Sequence, residues 1–125
     1  MPIKTPTDTP TDTRTRDAWD AIADDFDRHL TPRTLTFGQE IVSRLHLGPG
    51  VRVLDVGAGS GAVAIPAART GADVVAVDIA PTMIERLAAR ARAEDLPTLH
   101  AEVGDGTALA FDDDRFDVAV SLNGV

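Results

Sequence analysis

A run of aliphatic residues that ends in a glycine-rich turn constrains the fold of this chain most strongly. The run is Val51-Arg52-Val53-Leu54-Asp55-Val56, and Gly57-Ala58-Gly59-Ser60-Gly61 follows it directly. A near-continuous aliphatic segment of this kind is typical of a parallel strand that is covered on both faces. Glycine at every second position allows a sharp turn and leaves no Cβ atom in the way of a ligand. The sequence therefore predicts a buried strand, a turn that a ligand can approach and the start of a helix.

Strand and helix patterns alternate after this turn. Helices are predicted over 61–69 and 81–95, and further strands over 73–78, 99–103 and 116–121. This alternation predicts an α/β fold, a Rossmann-like parallel sheet with right-handed connections and the strand order 3-2-1-4. The reversal of strand order places a crevice at the carboxyl ends of the strands, between strands one and four.

The amino-terminal part of the chain divides into a tail and two helices. Residues 1–15 are rich in Thr, Asp and Pro and offer little to bury, so they are predicted to form a disordered tail. Residues 16–125 are predicted to form the folded domain, which begins with helices over 16–30 and 38–47. Trp19 lies on the apolar stripe of the first helix. Two interpretations stay open: this helix packs on the core, or it forms a lid over a ligand cleft.

Composition excludes several classes of function. The net charge of -8 disfavours non-specific binding to nucleic acid, whose phosphates would be repelled. Cysteine is absent, which excludes disulfides and a thiolate nucleophile. No apolar run approaches the roughly 20 residues that span a bilayer, so a cytoplasmic location is expected. The three histidines show no metal-ligand spacing, and the acidic run at 112–114 predicts a solvated turn, so no metal site is predicted.

The spacing of the glycines helps to indicate which kind of ligand the turn binds. Dinucleotide-binding enzymes usually show G-x-G-x-x-G, whereas this turn contains G-x-G-x-G and continues with Ala62. Asp55 precedes the turn at a position that is normally apolar where a pyrophosphate approaches. A carboxylate at that position would repel phosphate and favour a ligand that carries a positive charge.

Three segments together resemble the class I S-adenosylmethionine-dependent methyltransferases. They are 53–61 (Val-Leu-Asp-Val-Gly-Ala-Gly-Ser-Gly), 74–78 (Val-Val-Ala-Val-Asp) and 104–117, which begins Gly-Asp-Gly-Thr. The similarity runs from residue 19 to residue 125 and is strongest to the small-molecule branch that includes ubiquinone- and menaquinone-type C-methyltransferases. It implies S-adenosylmethionine as cofactor and a small-molecule methyl acceptor. Members of this family continue after strand four, so the chain is expected to be an amino-terminal portion with little activity on its own.

The resemblance also implies cofactor contacts at the ends of all four strands. In this family the glycine turn lies beside the methionine part of the cofactor, and the residues after strands two and three hold the ribose and the adenine. Residues after strand four border the sulfonium and the incoming nucleophile. The residues implied are Asp55, Gly57, Ala58, Gly59, Gly61, Asp78, Ile79, Asp105, Gly106, Thr107, Ser121 and Asn123.

Three carboxylates carry the most specific of these expectations. The resemblance implies that Asp55 favours the ammonium group of the cofactor, that Asp78 accepts hydrogen bonds from the ribose hydroxyls, and that Asp105 receives the adenine amino group. Asp78 and Asp105 also have a simpler interpretation as turn residues. No catalytic base is predicted. Two other functions stay open, a cofactor-binding module without catalysis and a nicotinamide-dependent oxidoreductase.

Overall fold

The computed structural model of the protein describes residues 15–18, 20–22, 31–106, 111 and 114–121. From residue 31 onward, the elements in order are α1 (Thr31–Leu45), β1 (Arg52–Val56), α2 (Ala64–Arg69), β2 (Asp73–Asp78), α3 (Pro81–Ala93), β3 (Leu99–Val103) and β4 (Val118–Val120). Residues 15–18 and 20–22 are also helical. Across these described residues, no helix combines the length and the apolar character needed to cross a membrane.

The four strands form one parallel sheet in the order β3-β2-β1-β4. Strand β1 pairs along both of its edges, since Val53 lies opposite Val74 of β2 and opposite Val118 of β4. Strand β2 pairs in turn with β3. The predicted α/β fold and its strand order are confirmed. Because all pairings are parallel, the carboxyl ends of the four strands lie at one edge of the sheet.

Apolar side chains cover both faces of the sheet, which explains why the central strands are almost entirely aliphatic. On one face, Val53 is buried with apolar side chains of α1, α2 and α3. On the other face, Leu54 and Val75 pack with Phe111 and Phe116. The two aromatic rings meet edge to face, with 5.2 Å between their centroids.

Helix α1 starts earlier than the sequence predicts, at Thr31 rather than at Gly38, and it ends at Leu45. Glycine weakens a helix interior, so local propensity does not favour a helix that continues through Gly38. In the structure Gly38 is buried inside α1, and a Cβ atom placed on it would collide with the backbone oxygen of Ala62. Gly38 therefore allows α1 to pack directly on the turn that follows β1. A tertiary contact outweighs the local helix propensity at this position.

Helix α2 starts at Ala64, three residues later than predicted, after turns over 61–63. This start places Pro66 within the first turn of the helix. An amide in that turn has no acceptor within the helix, so the missing N–H of proline breaks no helical hydrogen bond. The proline is therefore compatible with the helix.

Strand β4 is shorter than predicted, Val118–Val120 rather than 116–121. Phe116 packs on the sheet, and Asp117 forms an ion pair with Arg52 at the amino end of β1. The two side chains are 3.1 Å apart, and the backbone N–H of Arg52 also donates to Asp117 Oδ2 at 2.8 Å. This pairing lowers the pKa of Asp117, mainly through the Arg52 side chain. It attaches the start of β4 to the edge of the sheet opposite the glycine turn.

The predicted amino-terminal helix over 16–30 is present where the structure describes it. The helical residues include Thr15, which lies at the predicted end of the tail. Residues 1–14, Trp19 and 23–30 lie outside the described residues. The prediction of a disordered tail and the two interpretations of the Trp19 helix therefore stay predictions.

Substituting Gly38 with alanine has two opposing effects on stability, one from helix propensity and one from packing. Alanine gains about 1 kcal/mol over glycine inside a helix, whereas overpacking a tight contact typically costs about 1–3 kcal/mol. We expect Gly38→Ala to lower the melting temperature, because its new Cβ would meet the backbone of Ala62. The control is Gly48→Ala, since a Cβ at Gly48 has no atom within 4 Å. A Gly38→Ala variant as stable as the wild type in thermal denaturation would contradict this account of α1.

Candidate functional site

The loops after the first three strands are joined by backbone hydrogen bonds at the carboxyl edge of the sheet. The N–H groups of Gly57 and Ala58 both donate to the carbonyl oxygen of Val77, at 2.8 and 3.0 Å. The N–H of Gly104, after β3, donates to the carbonyl oxygen of Asp78 at 2.9 Å. The glycine turn is therefore fixed to the end of β2, and the loop after β3 is fixed beside it.

Asp78 connects the glycine turn to the turn that leads into α3. Its Oδ2 accepts the N–H of Gly59 at 2.8 Å, and its Oδ1 accepts the N–H of Ala80 at 2.9 Å. The bond to Ala80 is the turn-capping contact expected of a turn residue. A carboxylate oxygen has room for a second hydrogen bond, so these contacts leave Asp78 able to accept donors from a ligand. Its role toward ribose stays a prediction.

The glycines of the turn have different surroundings. Gly59 has a φ of +57°, and a Cβ on it would have no atom within 4 Å. Gly61 has a φ of +110°, and a Cβ on it would lie 2.6 Å from Leu87 Cδ1 and 2.7 Å from Ile65 Cγ1. Gly59 therefore faces open space, as the sequence predicts for a turn that receives a ligand. At Gly61 the absence of a side chain is needed for packing between the turn, α2 and α3.

Asp55 is a buried charged residue at the base of the turn. It is 1% exposed and lies on the helix-covered face of the sheet. It accepts a hydrogen bond from the N–H of Ala64, the first residue of α2. The residue before α2, Val63, supplies no capping side chain, so Asp55 takes that role from the neighbouring strand. Its other oxygen, Oδ2, has no hydrogen-bond partner and is buried.

The surroundings of Asp55 favour its protonated form. The pKa of Asp55 is raised from 3.8 to about 7, mainly by burial; the Ala64 N–H opposes this increase, and the nearby charge of Asp78 adds to it. A buried carboxylate with one unpartnered oxygen is unfavourable unless a proton, a donor or a cation meets that oxygen. Asp55 therefore fits a positively charged group that binds close to it.

The remaining predicted site residues lie at the same edge where the structure describes them. A Cβ on Gly106 would lie 2.6 Å from Val56 Cγ1, so the loop after β3 reaches the end of β1. Ile79 and Asp105 are half-buried, and Ser121 is exposed just after β4. Thr107 and Asn123 lie outside the described residues, so their cofactor contacts stay predictions.

A hydrogen bond between α3 and the glycine turn is not predicted by the sequence. Arg90 of α3 donates from Nη1 to the carbonyl oxygen of Ser60 at 3.2 Å, and Ser60 is 2% exposed. The two residues are 30 positions apart in sequence. No local pattern marks Arg90, whose position in α3 resembles that of other basic residues on a solvated helix face.

The site as a whole suits an organic ligand that carries a cation. Two carboxylates stand beside an open glycine turn, and one of them has an oxygen without a partner. A pyrophosphate beside the glycine turn would be repelled by Asp55 in its ionised form. Among the described residues, no group of three or more His, Cys, Asp or Glu side chains is arranged to hold a metal ion.

Comparison with known protein families identifies the carboxyl-terminal part of the chain. A family model described as a methyltransferase domain matches residues 53–125. This match includes the glycine turn, Asp78 and the loops after β3 and β4.

Individual relatives agree with this match. The chain is 47% identical over 88 residues to an uncharacterized protein of Mycobacterium tuberculosis, covering 70% of this chain and 32% of that protein. It is 36% identical over 111 residues to demethylmenaquinone methyltransferase of Corynebacterium efficiens, covering 84% of this chain and 44% of that enzyme. The chain thus spans about a third to under a half of these relatives.

A solved structure agrees in fold. Phosphoethanolamine N-methyltransferase 2 of Haemonchus contortus, in complex with S-adenosyl-L-methionine, superimposes with a TM-score of 0.62. The two are 28% identical, and the match covers 69% of this chain and 20% of that one.

The buried carboxyl group of Asp55 should make stability fall with rising pH. Below pH 3.8 the group is protonated in the folded and unfolded states alike. Between pH 3.8 and about 7 only the unfolded state releases its proton, so folding becomes less favourable until the loss is complete above pH 7. A shift of this size corresponds to at most about 4 kcal/mol in the free energy of unfolding.

Asp55→Asn removes this titration while keeping an acceptor for the Ala64 N–H. We expect the ligand-free variant to gain stability over the wild type as the pH is raised from 4 to 8, measured by urea denaturation at each pH. Other carboxylates are common to both proteins, so their contributions cancel in the difference. A difference that stays constant across this range would contradict the assignment.

Proposed function

The chain belongs to the methyltransferase domain family, and from this membership we propose that it binds S-adenosylmethionine and supports methyl transfer to a small molecule. The proposed cofactor site is the carboxyl edge of the sheet. The observation that carries the proposal is the buried Asp55 carboxyl group, whose Oδ2 has no partner beneath an open glycine turn. S-adenosylmethionine has an ammonium group and a sulfonium, and both are cationic.

Asp55 is proposed to stabilise the ammonium group of the cofactor, directly or through water. A cation beside the carboxylate would offset the burial that raises the pKa of Asp55, and the ionised form would then be favoured. Gly57, Ala58 and Gly59 form the surface beside the methionine part of the cofactor. Their N–H groups are held by Val77 and Asp78, so the turn is ordered before a ligand arrives.

The turns after β2 and β3 are proposed to hold the nucleoside. Asp78 would accept hydrogen bonds from the ribose hydroxyls, since each of its oxygens has accepted one backbone N–H and can accept another. Ile79 would pack on the adenine ring, and Asp105 would receive the adenine amino group. Gly106 and Thr107 would line this end of the site.

The chemistry requires alignment more than proton transfer. S-adenosylmethionine supplies an activated methyl group, which an electron-rich atom of the acceptor takes by in-line displacement. The protein must hold the two reactants in line and exclude water, and such alignment can supply on the order of 7–11 kcal/mol of the barrier. Ser121 and Asn123, after β4, are proposed to border the sulfonium and the incoming nucleophile. No general base is proposed.

A small-molecule acceptor is supported by the relatives. The Corynebacterium efficiens relative is a demethylmenaquinone methyltransferase, and the superimposable Haemonchus contortus structure is a phosphoethanolamine N-methyltransferase. The names of these two enzymes refer to different acceptors, so they support the class of acceptor and leave its identity open. Because the chain spans only part of such relatives, the activity of the whole protein is part of this proposal.

Ligand choice tests the proposal against a nicotinamide-dependent oxidoreductase. We expect S-adenosylmethionine and S-adenosylhomocysteine to raise the melting temperature, and NAD to leave it unchanged, because the ionised Asp55 carboxylate would repel a pyrophosphate beside the glycine turn. A ligand at 100 times its dissociation constant adds about 2.7 kcal/mol of stability. Stabilisation by NAD alone would overturn the proposed function. Binding of S-adenosylmethionine without methyl transfer by the full-length protein would favour a cofactor-binding module.

Substitution of Asp78 tests the nucleoside assignment. Asp78→Asn keeps an oxygen for the N–H of Gly59 or Ala80 but loses the charge and one acceptor. We expect it to raise the dissociation constant for S-adenosylhomocysteine at least about tenfold, since a hydrogen bond to a charged group contributes about 1.5–3 kcal/mol. Asp73→Asn is the matched control, because Asp73 begins the same strand and is exposed at the opposite end. Isothermal titration that finds equal affinities for both variants would contradict the role of Asp78.

A further inference from the structure

One side chain from the amino-terminal helical residues reaches the turn that carries Asp78. The Oδ1 of Asp20 accepts the backbone N–H of Thr82 at 2.8 Å, across 62 residues of sequence. Thr82 is the second residue of α3, which begins at Pro81. The contact therefore joins the helical residues 15–18 and 20–22 to the start of α3.

The start of α3 needs this external acceptor. The first N–H groups of a helix have no acceptor within the helix, and a side chain of the preceding residue usually satisfies one of them. Here the preceding residue is Ala80, which has no capping side chain, and Pro81 has no N–H. Thr82 therefore carries the first N–H of the helix, and Asp20 supplies its acceptor.

The environment of Asp20 agrees with a capping role. Hydrogen bonds from the Thr82 side chain and from its backbone N–H lower the pKa of Asp20, burial opposes the decrease, and the charge of Arg16 adds to it. Asp20 is thus held in the ionised form. A negative charge is favourable at the amino end of a helix, where the helix dipole is positive.

Asp78 also contacts the turn that leads into α3. Ala80 donates its N–H to Asp78 Oδ1, and Gly59 donates its N–H to Asp78 Oδ2. These hydrogen bonds and the backbone of residues 80–82 therefore connect Asp20 to Asp78 and to the glycine turn. Loss of the Asp20 contact would release the start of α3 and allow the Asp78 carboxylate to move.

We propose that Asp20 is a positioning residue of the cofactor site, which orients the Asp78 turn by capping α3 from the amino-terminal helical residues. This inference rests on the proposed function, because it assumes that Asp78 contacts the cofactor. Coupling of this kind is reciprocal. Binding at Asp78 therefore strengthens the attachment of residues 15–22, and their attachment strengthens binding.

Three variants of the 125-residue chain test the inference. Asp20→Ala removes the acceptor, Asp20→Asn restores an oxygen that caps a helix about as well as aspartate does, and Asp17→Ala removes an exposed carboxylate of the same helical residues. Titration calorimetry with S-adenosylhomocysteine is expected to give a dissociation constant about fivefold higher for Asp20→Ala, equivalent to about 1 kcal/mol. The other two variants should stay within about twofold of the wild type.

Hydrogen exchange separates positioning from a purely structural role. In the wild type, S-adenosylhomocysteine should slow exchange in a peptide that covers residues 15–22, and this protection should be lost in Asp20→Ala and retained in Asp20→Asn. Wild-type affinity in Asp20→Ala, or unchanged ligand protection of residues 15–22, would overturn the role of Asp20 alone. Failure of the wild type to bind S-adenosylhomocysteine would overturn the proposed function and this inference together.

Discussion

The double pairing of β1 is the constraint on which the rest of the site depends. Asp55 lies opposite Ala76 of β2 on one side and opposite Val120 of β4 on the other. A strand paired along both edges cannot shift its register without breaking two sets of hydrogen bonds. The end of β1 is therefore fixed, and the chain must leave it through a turn that closely packed neighbours surround. The two glycines serve this turn differently. Gly59 adopts a left-handed backbone conformation beside open space, and Gly61 allows the turn to approach α3 closely.

Burial of Asp55 is unfavourable to the ligand-free fold. A carboxyl group at 1% exposure would be replaced without loss by a neutral side chain if packing alone mattered. Its second oxygen is left without a partner, while the first caps α2. Unfavourable burial of this kind is typical of sites that are completed by a ligand. In the proposed cofactor site, a cationic group would meet this oxygen, and the buried carboxylate would then contribute to the charge selectivity of the site.

The sequence allowed the strands, their order and the residues at their ends to be predicted, because these depend on local patterns. Aliphatic runs such as 73–78 mark buried strands, and glycine or aspartate marks where the first three strands end. Element starts were predicted less well, because tertiary contacts decide them: Gly38 is accommodated within α1 by its contact with Ala62. The contacts of Asp20 with Thr82 and of Arg90 with Ser60 join distant parts of the chain. No periodicity or spacing in one sequence encodes such pairs.

The ion pair between Arg52 and Asp117 gives the two ends of β1 different sensitivities to salt. Both side chains are nearly half exposed, at 49% and 44%, so dissolved ions screen their attraction. At the other end of the strand, Asp55 is 1% exposed, so dissolved ions screen its charge much less. Ionic strength therefore acts mainly on the attachment of β4 at the amino end of the sheet. The same strand thus has a salt-sensitive contact at one end and a weakly screened carboxyl group at the other.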